Sequence, residues 1–184
     1  TPYSNGVFTS CLFNSLNNIY GLVMAKNNLA KSVVEKLTNI LSYSSEISKI
    51  ESILIEKELY CIRQFVELEQ IRYAKSEKIK FEIVFFHSEE LRIYPMILLF
   101  FIESAFQYSI HNLINEAYIN ISINTYNKGV FLKLEFTASN HSDIEINEIG
   151  IKVQKLLNNA YPELYRLEFK RNGNSLTIFL RISL

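Results

Sequence analysis

The chain has 184 residues, 48% hydrophobic and 13% aromatic, enough for a real core in one or two small domains. Lys plus Arg and Asp plus Glu each total 19, and the resulting zero net charge argues against nucleic acid as a main partner, since neutralising phosphates needs a basic surplus. Cys11 and Cys61 make no disulfide framework or metal cluster and fit a reducing compartment with a packing role.

Residues 1–6 hold Pro2 and Gly6 and read as a loose start. Phe8, Cys11, Leu12, Ser15, Leu16, Ile19, Leu22 and Val23 then recur at three- and four-residue spacing, predicting a helix to about Ala25. Lys26-Asn27-Asn28 is a turn with Asn28 placed as N-cap, and a second helix follows with Leu29, Val33, Val34, Leu37, Ile40 and Leu41 on one face. The two make an antiparallel hairpin with more apolar surface than one copy can hide. Ser44 to Ser52 is polar and reads as a linker, and Ile53 to Ile55 as a short extended piece.

Glu56 to Tyr73 is strongly helical, with Leu59, Ile62, Phe65, Val66 and Leu68 on an apolar stripe and Glu69 and Arg72 placed to pair. Ile79 to Phe86 alternates as a strand. Tyr94 to Ile102 is the longest apolar run; it falls short of the ~20 residues of a membrane span and ends at Glu103. It opens a helix to about Ser109, with Pro95 in the first turn. Strands are predicted over 117–126, 130–138, 164–170 and 175–183, with a helix over 145–160 between the two pairs. Asn127-Lys128-Gly129 and Arg171-Asn172-Gly173-Asn174 are the hairpin turns, with glycine supplying the positive φ. This order predicts an α+β protein: a mixed sheet with helices on one face. No internal repeat, low-complexity segment or signal peptide is present, and the chain, opening without Met, reads as a piece of a longer protein. His87, His111 and His141 lie far apart in loops or at element ends, and no Ser/His/Asp constellation appears.

One stretch carries a resemblance. Phe8-Thr-Ser-Cys-Leu-Phe-Asn-Ser-Leu-Asn-Asn-Ile19 resembles the phosphoacceptor helix of LytS-type sensor histidine kinases, Asn-Pro-His-Phe-Leu-Phe-Asn-Thr-Leu-Asn-Asn-Ile. Ser10 stands where that family has its phosphorylated histidine. The family's second helix ends in Leu-Arg-Tyr, here Leu41-Ser42-Tyr43. Glu58, Leu59, Ile62, Phe65, Leu68, Glu69, Arg72 and Tyr73 match the motif that opens its ATPase-like domain. The resemblance implies a helical hairpin over residues 1–50, for dimerisation and phosphoacceptance, and a Bergerat-type ATPase-like domain over 51–184.

The implied nucleotide site is degenerate. In the family, Pro-x-x-x-x-Gln-Pro-Leu-Val-Glu-Asn-Ala-Ile-Lys-His-Gly lines the ATP pocket. Here Glu103 and Ala105 survive, Ser104 replaces the Mg²⁺-binding Asn, and Gln107 replaces the phosphate-contacting Lys. A hydroxyl is shorter than a carboxamide, and losing a metal ligand together with a cation removes most of what neutralises a triphosphate. Asn140 is placed to accept from an adenine amine, or is simply a polar strand exit. Gly150 alone remains of the lid glycine pair that would make a phosphate cradle.

The resemblance, with these losses, implies a pseudokinase: a cytoplasmic signalling core with no catalytic residue and no metal ligand, homodimeric through residues 8–41. Its partner would be a response regulator or a related kinase, and it would meet a membrane only through an upstream region. ATP and Mg²⁺ are implied as cofactors only if the site is retained. The alternative is an active or weakly active kinase that phosphorylates in trans, using Glu103 and Asn140.

Overall fold

The computed structural model describes residues 15–47, 50–73, 79–86, 90–110, 117–138 and 143–184. Helix α1, described from residue 15, runs to residue 24. It ends on Lys26 in the left-handed region (φ 51), with the Asn27 amide donating to the Leu22 carbonyl at 2.9 Å, a C-terminal cap usually built on glycine. The predicted N-cap is displaced by one residue: Asn27, not Asn28, accepts from the Leu29 amide at 2.9 Å. Helix α2, Leu29–Ile47, continues through part of the expected linker, because Tyr43 and Ile47 are buried and extend its apolar face.

Strand β1, Ile53–Leu54, leads directly into α3, Ile55–Arg72, so Ile55 begins the helix instead of extending the strand. β2 is Ile79–Phe86 and β3 is Arg92–Ile93. β1 and β3 pair antiparallel, and the Ile55 amide donates to the Leu91 carbonyl at 2.9 Å. This small ladder brings the start of α3 beside the start of α4, Ile97–Ile110. Pro95 was expected in the first turn of α4; it lies before the helix, and Met96 between them takes a φ of 66°.

The remaining elements are β4 (Ala117–Tyr126), β5 (Gly129–Thr137), α5 (Asp143–Ala160), β6 (Tyr165–Asn172) and β7 (Ser175–Ser183). They complete a five-stranded sheet in the order β2-β4-β5-β7-β6. β2 and β4 are parallel because α4 carries the chain across between them, and the other pairs are antiparallel. The mixed sheet expected from the order of elements is therefore the observed one.

Both hairpin turns sit where expected, with one change of role. In the first, Asn127 and Lys128 take the positive φ values, 49° and 55°, as a two-residue turn requires. Gly129 is instead the first residue of β5, where a Cβ would stand 3.1 Å from the Tyr126 carbonyl oxygen and 3.1 Å from Phe131 Cε2. In the second turn Gly173 does supply the positive φ, 57°.

The strand alternation sorts into two faces. Ile121, Leu134, Ile178 and Phe169 are in register across four strands; the first three are buried and Phe169 packs partly against the core. α4 lies on β4 and β5 over this face, while α3 packs on α4 with one side and on α2 with the other. Hence α3 is buried well beyond one stripe, including Ile55, Cys61, Ile62, Phe65 and Val66. The opposite face carries a shallow groove of about 240 Å³. There the Arg181 guanidinium lies 5.1 Å from the Phe131 ring centroid, and Glu168 pairs with both Arg166 and Lys170.

Phe65 and Phe106 meet edge to face at 5.3 Å between α3 and α4. Phe65→Ala leaves a cavity in this seam and costs about 3–5 kcal/mol in urea unfolding. Phe86→Ala, at a side chain 66% exposed, changes stability by about 0.5 kcal/mol or less. Equal effects for the two would contradict the layer order.

Candidate functional site

The first amides of a helix have no partner within it. At α4 they are met by a side chain from α3. Glu58 is wholly buried, and its Oε1 accepts from the Leu98 amide at 2.8 Å and the Leu99 amide at 3.1 Å. Its Oε2 accepts from the Met96 amide at 2.7 Å and from the Tyr43 hydroxyl on α2 at 2.8 Å. Burial pushes the Glu58 carboxyl up to about 7, while the four donors work against that shift by favouring the charged form. Burial and the nearby Glu58 charge push the Tyr43 phenol far up, so it stays a donor. The residue before Pro95 is held as well: the Tyr94 amide donates to the Tyr161 hydroxyl at 2.5 Å, just beyond the end of α5.

Further along α4 lie the positions singled out in the sequence. Glu103 is buried facing α3, and burial first, then the Glu69 carboxylate, pushes it up to about 8. Glu69 is also buried and accepts from Arg72 at 3.4 Å, the pair expected from their spacing. Arg72 in turn lies 4.9 Å from the Tyr73 ring centroid. Ser104 is buried and its hydroxyl donates to the Phe100 carbonyl at 2.8 Å, one turn back in its own helix. Gln107 is exposed.

Gly150 lies inside α5, beyond its first turn, where amides are already spent within the helix. A Cβ there would meet nothing within 4 Å, so the backbone does not require glycine. Ser10 and Asn140 lie outside the described residues, as do His87, His111 and His141.

The structure thus brings Glu103 and Ser104 together on one helix and adds Glu69, Arg72 and Tyr73 from α3. The Ser104 hydroxyl is turned into its own helix, and the Glu103 carboxyl is raised by burial and by the Glu69 carboxylate. Among the described residues no three His, Cys, Asp or Glu side chains are grouped to hold a metal ion. In the sequence Glu58 and Tyr43 stand out as motif positions only. Their available signal was a lone carboxylate near the start of an otherwise apolar helical face, and a tyrosine on the inward stripe of α2.

Comparison with known proteins agrees with these elements. The model of the histidine kinase family matches residues 11–77. The sensor histidine kinase YpdA of Escherichia coli (strain K12) is 32% identical over 72 residues, which is 39% of this chain and 13% of that protein. Among solved structures, the Acinetobacter baumannii histidine kinase AdeS superposes with a TM-score of 0.50 at 14% identity, over 89% of this chain and 83% of that one. The histidine kinase domain of the Erythrobacter litoralis blue-light activated kinase EL346 gives 0.51 at 10% identity, over 86% and 88%. The nucleotide-free catalytic domain of the histidine kinase ThkA gives 0.50 at 15% identity, over 72% and 97%. The fold is that of the histidine kinase ATPase-like domain, and the sequence resemblance to sensor histidine kinases is shown.

Both buried carboxyls leave a mark on the pH dependence of stability. Each has a folded pKa above its unfolded value, so the unfolded chain loses the proton first and stability falls as pH rises. Glu58 contributes to the fall from about 4.5 to about 7, and Glu103 from about 4.5 to about 8. Denaturant unfolding at pH 5 and pH 9 therefore shows a loss on the order of several kcal/mol. Glu103→Gln flattens the part of the curve between pH 7 and 8. An unchanged slope in that variant contradicts the assignment.

Proposed function

We propose that this relative of the sensor histidine kinases is a signalling core that has lost the chemistry and kept the scaffold. On this reading it is a pseudokinase, dimeric through the helical hairpin, that passes a conformational input to a response regulator or a related kinase. It would be the cytoplasmic part of a longer protein. The observation that carries the reading is Ser104: at the position where the resemblance puts a metal-holding carboxamide, the hydroxyl is short, buried and bonded to the Phe100 carbonyl. Ser10 at the acceptor position and Gln107 at the phosphate position support it in sequence.

The dimer is supported by an unburied stripe, different in part from the one read in the sequence. Val33, Leu37 and Ile40 face the chain's own core and do not belong to a seam between copies. Leu16, Tyr20, Val23, Val34 and Leu41 are each at least 41% exposed on the hairpin. A second copy covering them in an interface of about 1,600 Å² gains ~25 cal/mol per Å² of apolar area, against an association cost of several kcal/mol.

Two measurements test this. ATP with Mg²⁺ at sub-millimolar concentration leaves the thermal midpoint unchanged; binding at a hundred times Kd would add ~2.7 kcal/mol, an easily seen shift. A clear shift favours the alternative, an active or weakly active kinase. For the dimer, light scattering at tens of micromolar gives twice the chain mass, and Leu16→Asp gives a folded monomer. Leu37→Asp instead destabilises the chain itself, because the charge enters its own core. A monomeric parent, or a Leu16→Asp variant that stays dimeric, rules the bundle out.

A further inference from the structure

The Glu58 carboxylate is shared by three elements. α3 carries it, α4 supplies the Leu98 and Leu99 amides, Met96 comes from the turn before α4, and α2 supplies the Tyr43 hydroxyl. No lysine or arginine among the described residues bonds to it, so its charge is balanced by N–H and O–H dipoles and by the positive end of α4. Cys61 on α3 and Tyr161 beyond α5 are the other titratable groups that interact with this pair.

We propose that Tyr43 is a positioning residue through which the helical hairpin sets the N-terminal turn of α4, with the Glu58 carboxylate as the shared acceptor. The proposal rests on the reading of the chain as a signalling core, in which an input travels along the hairpin. The Tyr43 hydroxyl and the Met96 amide share one oxygen of Glu58. Met96 holds a φ of 66°, a strained value for a residue with a side chain, which persists only where its surroundings enforce it. α2 is seated on α3 by ties nearer the surface, Lys36 to Glu67 and Asn39 to Tyr60 and Gln64. Those ties set where α2 lies, and Tyr43 carries its position to the carboxylate. A shift of α2 by about an ångström lengthens an O–H···O bond beyond its working range. Oε2 then loses a donor, the carboxylate re-centres or takes a proton, and the turn at Met96 loosens. α4, which bears Glu103, Ser104 and Gln107, moves with its first turn.

The experiment is amide hydrogen exchange by NMR on the nucleotide-free full chain, with Leu134 and Ile178 in the sheet as controls. Tyr43→Phe keeps the ring and removes only the hydroxyl. Exchange at Met96, Leu98 and Leu99 rises about tenfold, the factor for losing one hydrogen bond to a charged group, while the controls stay unchanged. The titration midpoint of the Glu58 carboxyl carbon moves up, because one donor to the charged form is gone; loss of packing alone would not move it. Lys36→Glu, at the far tie, speeds exchange at Leu98 and Leu99 when Tyr43 is present and adds nothing in the Tyr43→Phe background. Equal changes in sheet and α4 amides, an unmoved Glu58 midpoint, or the same Lys36→Glu factor in both backgrounds each overturn the proposal. If Tyr43→Phe does not fold, Lys36→Glu alone still decides, since an unmoved Glu58 midpoint in that variant overturns it too. ATP binding, which would sink the pseudokinase reading, leaves these nucleotide-free rates untouched, so the two failures are separable.

Discussion

Burying the Glu58 carboxylate is the constraint on which the rest of the structure depends. An acid taken wholly out of water costs several kcal/mol unless its lone pairs are filled. Here they are filled by three amides at the start of α4 and one hydroxyl from α2. The same bonds satisfy α4 amides that would otherwise be orphaned in the interior. The turn of α3, the starting point of α4 and the seating of α2 are therefore one solution. Removing Glu58 leaves unpaired amides at the start of α4, and a half-satisfied buried network is worse than none.

That arrangement also explains the layer order. The β1–β3 ladder holds the starts of α3 and α4 side by side, close enough for Glu58 to span them. α3 is then covered by α4 on one side and by α2 on the other, which is why so many of its side chains are buried. Covering α3 uses the inward stripe of α2, from Val33 to Ile47. What the hairpin leaves uncovered is its outer stripe, from Leu16 to Leu41.

α4 is held at its first turn by Glu58 and carries buried polar groups in its middle. Glu103 sits against Glu69, where two carboxylates cannot both be ionised cheaply, so burial and mutual repulsion favour a proton on Glu103. Ser104 is occupied by its own helix.

The sequence by itself determined the elements. Periodicity placed α3, the five strands of the main sheet and both hairpins, but not β3, because helix and strand patterns and turn residues are local properties of the chain. It also placed the Glu69–Arg72 pair, three residues apart on one helix. Tertiary structure decided the roles. Glu58 and its α4 partners lie 38 to 41 residues apart, so nothing local in the sequence announces their meeting. Leu37 and Leu41 are both apolar on the same helix, yet one is buried within the chain and the other is 41% exposed, since an amphipathic stripe does not say which neighbour it will meet. α2 outran its expected end because Ile47 found a buried site, and Gly129 is needed for a close approach across the hairpin instead of for its φ. Packing partners are set by where the chain returns in space, and only the folded arrangement of α2, α3, α4 and the sheet supplies that.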